Sequence, residues 1–476
     1  MRLAVLLAVP LRRATTLTLA SGLMAAALAG TAAGASAGTA GSLSAGLPGS
    51  LFSGPAGGPS GGASGGAGGG AGASPRFVVP PRPGRLPAGL RQICPVPTTA
   101  GQMQCQSIGR ATARTGARGV TPASKPAAGA LRPNQLTGAY GLTAAARNGG
   151  KGARVAIVDA YSDSHAAGDL AVYRKWFGLP ACKTSTGCLK IVNQNGKSRP
   201  LPAAASAWAE EASLDLDMVS AICPNCKILL VEANGPGVGN MTRAEATAVG
   251  WTRYVSNSWG SGSEFTGEKN YDHYFNHQGV VITAAAGDSG FGTQWPAASR
   301  YVTAVGGTTL QVGGTGGSGF TRSSETAWGV DSGSGATASG CSRFESKPSW
   351  QKDTGCPRRT ENDVAADADP VTGAAVYDSV PGKGLGLPAG WQQLGGTSEA
   401  APIITAVYAL ANGKAPKPGS YPVHYLYQHA SGLFDVTSGS DGSCAAAKAY
   451  LCTARAGYDG PTGRGTPGGV AAFTAP

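Results

Sequence analysis

Arg154-Val-Ala-Ile-Val-Asp159 and Lys227-Ile-Leu-Leu-Val-Glu232 are short apolar runs rich in Val and Ile. Tyr254-Val-Ser-Asn-Ser258, Gly279-Val-Val-Ile-Thr-Ala284 and Tyr301-Val-Thr-Ala-Val305 continue the pattern. Apolarity without alternation suits strands covered on both faces, as in a parallel sheet. Stretches of helical character lie between several of them, notably 203–222 and 398–412. Strand and helix in turn predict an α/β domain, a doubly wound and mostly parallel sheet flanked by helices. Ligands of such domains gather beyond the carboxyl ends of the strands.

Outside these runs the composition is unusual. Among 476 residues there are 75 Gly and 32 Pro, too many for a coiled coil or helical bundle, and no Gly-X-Y period runs through them. The net charge of +12 is unevenly placed. The first acidic residue is Asp159; 15 Lys and Arg precede it, leaving 23 basic residues against all 26 acidic ones in the body. A nucleic-acid reader would carry its basic surface on the folded domain, so that class is excluded.

Residues 1–37 read as a secretory signal peptide. Arg2, Arg12 and Arg13 precede an apolar stretch from Leu17 to Gly30, and Ala35-Ser36-Ala37 forms a cleavage site. The apolar run is shorter than the roughly 20 residues of a spanning helix, so no membrane association is expected after cleavage. Residues 38–130 are dominated by Gly, Ala, Ser and Pro and are expected to form a largely disordered leader. The body, 131–476, where the composition changes and periodic structure begins, is the expected folded domain.

The ten cysteines fall as near neighbours: 94/105, 182/188, 223/226, 341/356 and 444/452. Pairing of each couple is the simplest framework in an exported chain, although spacing does not fix connectivity. Cys223-Pro-Asn-Cys226 has no second CxxC to complete a zinc site, which favours a local disulfide.

The sharpest chemical signal is Gly395-Gly-Thr-Ser398-Glu-Ala-Ala-Pro402. Ser398 opens an apolar helical run, where free N–H groups and the helix dipole favour a developing oxyanion. The plain alternative is a helix cap. A nucleophilic Ser needs a base. None of the five histidines, His165, His273, His277, His424 and His429, stands in a His-Gly-Thr setting, and the i, i+4 pair His273 and His277 reads as a solvated helix face. Carboxylates are the other choice. Glu211 and Asp215 share one helix face, so repulsion raises one pKa and lets them share a proton. Glu210 and Asp217 are expected to be solvated. Asp288, in Ala286-Gly-Asp288-Ser-Gly290 just beyond a strand, could stay protonated and donate to an oxyanion.

With these residues in hand, the chain resembles the sedolisins, the serine-carboxyl peptidases with a subtilisin-like fold. The matching motifs are Glu211-x-x-Leu-Asp215, Ser256-Asn-Ser-Trp259-Gly260, Ala286-Gly-Asp288-Ser-Gly290, Tyr301-Val-Thr-Ala-Val-Gly-Gly307-Thr, Asp363-Val-Ala-Ala-Asp-Ala-Asp369-Pro-x-Thr-Gly373 and Gly396-Thr-Ser398. They occur in family order over roughly 131–470. The resemblance implies Ser398 as nucleophile, Glu211 as general base, Asp215 as its orienting partner and Asp288 as the oxyanion-hole acid. It implies polypeptide substrates, action at acid pH and one structural Ca²⁺. Asp435 and Asp459 would supply carboxylates, and Val436, Arg455 and Gly457 backbone carbonyls, an oxygen-only set suited to calcium. Arg455 stands where the family usually has a small residue.

The expected protein is therefore a secreted, monomeric serine-type peptidase. Two alternatives stand beside it: a subtilisin-like Ser-His-Asp enzyme built on Asp159, and a non-catalytic secreted binding module with the same fold. The leader departs from the long folded prodomain of the sedolisins, so how the enzyme is kept silent is open at this point.

Overall fold

The computed structural model describes residues 86–110, 123–315, 319–380, 389–413 and 415–476. The expected signal peptide and most of the expected leader lie outside these residues. Five of the predicted strands are present, as Arg154–Ala160, Lys227–Ala233, Tyr254–Asn257, Val281–Ala285 and Thr303–Thr315. With Leu189–Asn193 and Val364–Asp367 they form a parallel array, and Gly319–Ala327 closes one side as an antiparallel hairpin partner. The mixed order, with Arg154–Ala160 between Lys227–Ala233 and Tyr254–Asn257, produces the crossovers of a doubly wound sheet.

Two apolar layers cover this sheet. One contains Leu136, Leu214, Leu230, Ile403 and Val407; the other contains Met241, Trp259, Phe275, Ile282 and Trp295. The helix Thr397–Asn412 is buried along almost its whole length, from Thr397 to Leu410. A helix apolar on every side belongs inside a domain, and each buried Ile or Val contributes roughly 1.5–3 kcal/mol. The helix Ser206–Ile222 packs beside it with every residue from Trp208 to Ile222 buried.

That burial corrects one expectation. Glu210 and Asp217 are not solvated: they are 0% and 1% exposed. The strand Ala374–Asp378 packs on their helix, Asp217 Oδ2 accepts from the Tyr377 N–H at 3.0 Å, and Glu210 feels the charge of Asp378. Burial pushes both carboxyls well above the usual carboxylate range.

The leader expectation is corrected over 86–110. Leu90–Gln92 lies at the edge of a four-stranded antiparallel sheet, followed in order by Ile108–Arg110, Gly390–Gly395 and Ala374–Asp378. Gln104–Cys105 pairs with Trp259–Gly260. Ile93, Cys94, Met103, Cys105 and Ile108 are buried, so this island has enough apolar surface to order itself against the domain. All five expected disulfides form: Cys94–Cys105, Cys182–Cys188, Cys223–Cys226, Cys341–Cys356 and Cys444–Cys452.

Candidate active site

Ser398 is the second residue of the helix Thr397–Asn412, and the backbone before it turns at Gly396 with φ +99°. A Cβ on Gly396 would collide with the carbonyl oxygen of Gln106 and stand 2.6 Å from Asp288 Oδ2. Only glycine lets these two oxygens approach the turn so closely. Pro402 lies in the second turn and leaves the Ser398 carbonyl without its helical donor. The Ser258 hydroxyl approaches that carbonyl at 3.4 Å.

The Ser398 hydroxyl donates to the Ser258 carbonyl at 3.0 Å and accepts from the Gln106 N–H at 3.0 Å. Its backbone N–H donates to the Gln106 carbonyl at 2.8 Å, and the Gln106 N–H also reaches Ser258 O at 3.1 Å. Residues 104–107 thus run through the site as an extended peptide, with the Gln106 carbonyl oxygen on the free N–H of a helix N-terminus.

Glu211 and Asp215 face this point from the helix Ser206–Ile222, both fully buried. Glu211 Oε2 accepts from the Ser107 hydroxyl at 2.5 Å, and Asp215 Oδ1 accepts from the Ser258 hydroxyl at 2.7 Å. Among the described residues their other oxygens, Glu211 Oε1 and Asp215 Oδ2, accept no hydrogen bond within bonding geometry. Burial, then the charge of Asp159, pushes both carboxyls well above their ordinary range; the Ser107 and Ser398 hydroxyls pull Glu211 back in part. A proton held between such groups would satisfy oxygens that are otherwise orphaned.

Asp288 follows the strand Val281–Ala285 and is also buried. Its Oδ1 accepts from the Thr397 N–H at 2.8 Å and the Thr397 hydroxyl at 2.9 Å, which fixes the carboxyl. Oδ2 has no partner among the described residues and lies on the Gln106 carbonyl side of the Gly396 turn. Burial raises this carboxyl to about 7, against the lowering effect of Thr397, so it holds its proton through the acid range.

The four predicted site residues are therefore brought together. The histidines are not. His165 Nδ1 pairs with the Ser379 hydroxyl, His273 Nδ1 pairs with Asn270 O, and His424 stacks edge-on against Trp350. No histidine hydrogen-bonds to Ser398 among the described residues. Asp159, near the end of its strand, lies inside the carboxylate cluster with both oxygens unpartnered among the described residues.

Sequence reasoning missed Gln106, Ser107, Ser258 and Gln294 as site residues. Ser258 lay within a quoted motif. Gln106 and Ser107 follow Cys105, and the only local signal was the Ile, Met and Cys content of an island within the Gly/Ala tract.

Asp435 and Asp459 also meet. Asp435 Oδ2 accepts from the Gly457 N–H at 2.8 Å, and Asp459 Oδ2 accepts from the Arg455 N–H at 2.9 Å. Asp459 Oδ1 accepts from the N–H and hydroxyl of Thr462, both at 2.9 Å. Burial raises Asp459 to about 7, with a smaller push from Asp435. The guanidinium of Arg455 lies over the Tyr450 ring, 5.0 Å from its centroid. Two neighbouring carboxylates suit a hard cation, while N–H and hydroxyl donors already take three of their four oxygens. No group of three or more His, Cys, Asp or Glu side chains converges as a metal site among the described residues.

Comparison with known proteins agrees with this geometry. Residues 195–455 match the profile described as Peptidase_S8, the subtilase family. Kumamolisin from Bacillus sp. (strain MN-32) is 33% identical over 290 residues, 55% of this chain and 49% of its own length. Sedolisin from Pseudomonas sp. (strain 101) is 34% identical over 213 residues, 40% of this chain and 33% of its own. A solved structure, Pseudomonas sedolisin (serine-carboxyl proteinase) complexed with two molecules of pseudo-iodotyrostatin, superposes with a TM-score of 0.58. It is 25% identical and covers 73% of this chain and 96% of that one.

The chain belongs to the subtilase family, in its sedolisin branch. It spans half or less of the length of these two curated relatives. Membership of the sedolisin branch accords with the subtilisin-like α/β fold and with a site of carboxylates where a histidine base is absent among the described residues. No helix among the described residues is long and apolar enough to cross a membrane.

Proposed function

We propose that the chain is a secreted serine-carboxyl peptidase that hydrolyses polypeptides at acid pH. The observation that carries this reading is the Gln106 carbonyl oxygen, held by the Ser398 N–H beside Asp288 while Glu211 lies one hydroxyl away. A peptide bond so placed is set for acyl transfer.

In this mechanism the Ser398 hydroxyl swings from Ser258 O toward Glu211, gives up its proton to Glu211 and attacks the substrate carbonyl carbon. The oxyanion is stabilised by the Ser398 N–H and by the O–H of protonated Asp288. The C–N bond breaks, and the departing amine takes the proton from Glu211. Water then cleaves the Ser398 ester through the same base, leaving a new carboxyl end and a free Ser398. Asp215 acts through Glu211 as a positioning residue, holding the shared proton and the charge.

Export is supported by the N-terminal pattern of Arg, apolar run and small-residue cleavage site, and by five disulfides. Calcium belongs to the same reading, on Asp435, Val436, Arg455, Gly457 and Asp459. When bound it would supply positive charge between two carboxylates and tie their loops together. The Ser-His-Asp alternative is disfavoured because no histidine hydrogen-bonds to Ser398 among the described residues. Digestion of a denatured protein across a pH series tests the proposal: acid-side cleavage that is lost in Ser398→Ala supports it. Cleavage that survives in Ser398→Ala, or no cleavage at any pH, overturns it.

A further inference from the structure

We propose that Gln294 makes the pocket for the residue preceding the scissile bond select side chains that end in an N–H donor, glutamine first. We infer that Gln106–Ser107 is the first such bond the chain presents to its own site. Both points rest on the peptidase reading above.

The Gln106 side chain lies at the wall of a small pocket that Gly262, Gly287, Gly290, Thr293 and Gln294 also line. Its Nε2 donates to Gln294 Oε1 at 3.1 Å. Gln294 is 3% exposed, and its amide cannot turn round without losing both of its anchoring bonds. Nε2 donates to the Ala285 carbonyl at 3.1 Å, and Oε1 accepts from the Gly262 N–H at 2.8 Å. Oε1 therefore offers its second lone pair to whatever fills the pocket. Gly260 and Gly287 make room for this amide: a Cβ on Gly260 would collide with it, and one on Gly287 would lie 2.9 Å from Nε2.

A fixed acceptor discriminates by chemistry. A glutamine side chain brings an N–H to it. Leucine fills space but leaves the lone pair without a donor in a buried wall. A glutamate carboxylate brings oxygen against oxygen, and no cationic side chain lines the pocket among the described residues to receive it. Protonated glutamic acid regains a donor, so its rejection weakens as pH falls through its pKa, about 4.3.

The Gln106–Ser107 bond already sits in register. Gln104 and Cys105 pair with Gly260 and Trp259, Gln106 reaches Gln294, and Ile108–Arg110 leaves along Gln393–Gly395. In the cleavage step Ser398 Oγ bonds to the Gln106 carbonyl carbon, the bond to the Ser107 nitrogen breaks, and that amine takes a proton from Glu211. Water releases the Gln106 carboxyl end.

The test uses the full chain first and the processed enzyme second. Incubated at acid pH, the full chain should yield a product beginning at Ser107, by intact mass. Gln106→Leu, which leaves the pocket untouched, should slow this about tenfold. The processed enzyme is then given peptides that differ only before the scissile bond. At about pH 6, above the glutamate pKa, kcat/KM should favour Gln over Leu by about tenfold, with Glu below Leu. In Gln294→Met the Gln-to-Leu ratio should fall to about two or less. Processing at another bond, an equal rate for Gln and Leu, or a ratio unchanged in Gln294→Met overturns the selectivity while leaving a peptidase. If the wild-type chain cleaves neither itself nor any peptide, the peptidase reading falls and this one with it.

Discussion

The Ser107 hydroxyl donates to Glu211 Oε2 across 2.5 Å, so a residue 104 positions upstream occupies the oxygen of the proposed base. At the same time the Ser398 hydroxyl donates to Ser258 O at 3.0 Å. While the segment lies in the site, Ser107 thus holds one oxygen of the base and Ser258 O holds the nucleophile's proton, which gives a physical reason for a quiet enzyme before processing.

Removing the Ser107 hydroxyl should release the base. Ser107→Ala is expected to speed self-cleavage by about tenfold, the worth of one hydrogen bond to an ionisable group. The time course of intact mass at acid pH checks this. A rate equal to or slower than that of the wild type would show that Ser107 does not restrain Glu211.

Asp288→Asn keeps a donor in its amide N–H, so kcat should fall by less than the about 10²–10³ that marks loss of an oxyanion donor. The carboxyl is raised to about 7 by burial, so in the wild type the rate should fall as pH rises through about 7 and the donor proton is lost. The asparagine variant has no proton to lose there, and its residual rate should lack that fall. A pH–rate profile of both enzymes decides it; an unchanged alkaline limb would place the ionisation elsewhere.

Stability should favour acid. Burial raises Asp163 to about 6, Glu232 to about 7, and Glu245 and Asp378 to about 8. Unfolded carboxyls titrate near 4, so between about 4 and 8 the folded state holds more protons than the unfolded state. Stability is then fully present below the unfolded pKa and is lost as pH rises through the folded values. Thermal melts of Ser398→Ala, which cannot digest itself, should show Tm highest near pH 4 and lower by roughly 5 °C or more at pH 8. A Tm that rises with pH would contradict the buried, protonated state of these groups.

Calcium should stabilise without joining the chemistry. Saturation to about 100 times Kd would add about 2.7 kcal/mol. A chelator should therefore lower the Tm of the wild-type chain, and Asp435→Asn should remove most of that response. A Tm indifferent to both the chelator and the substitution would argue against the site.

What could be read in advance followed from periodicity and local chemistry. Val- and Ile-rich runs declare buried parallel strands because their side chains face apolar layers on both sides, and 154–160 and 227–233 do so here. Ser398 was visible because Gly396 and Thr397 open an apolar helix. The fate of Glu210 and Asp217 was not visible, since helix spacing says which face a residue occupies but not that Ala374–Asp378 will cover it. Gln106 and Ser107 reach the site through strand pairing with Trp259–Gly260 and Gln393–Gly395, contacts between segments more than 150 residues apart that no local pattern encodes.

The central claim is that a carboxylate, not an imidazole, takes the proton from Ser398, and Glu211→Gln tests it most directly. The amide keeps the shape and can still accept from Ser107, but it cannot take up a proton at acid pH. With the fold verified by a cooperative melt, kcat/KM on a peptide substrate should fall by roughly 10²–10⁴, the contribution of a general base. A Glu211→Gln enzyme that cleaves at near the wild-type rate would contradict the account.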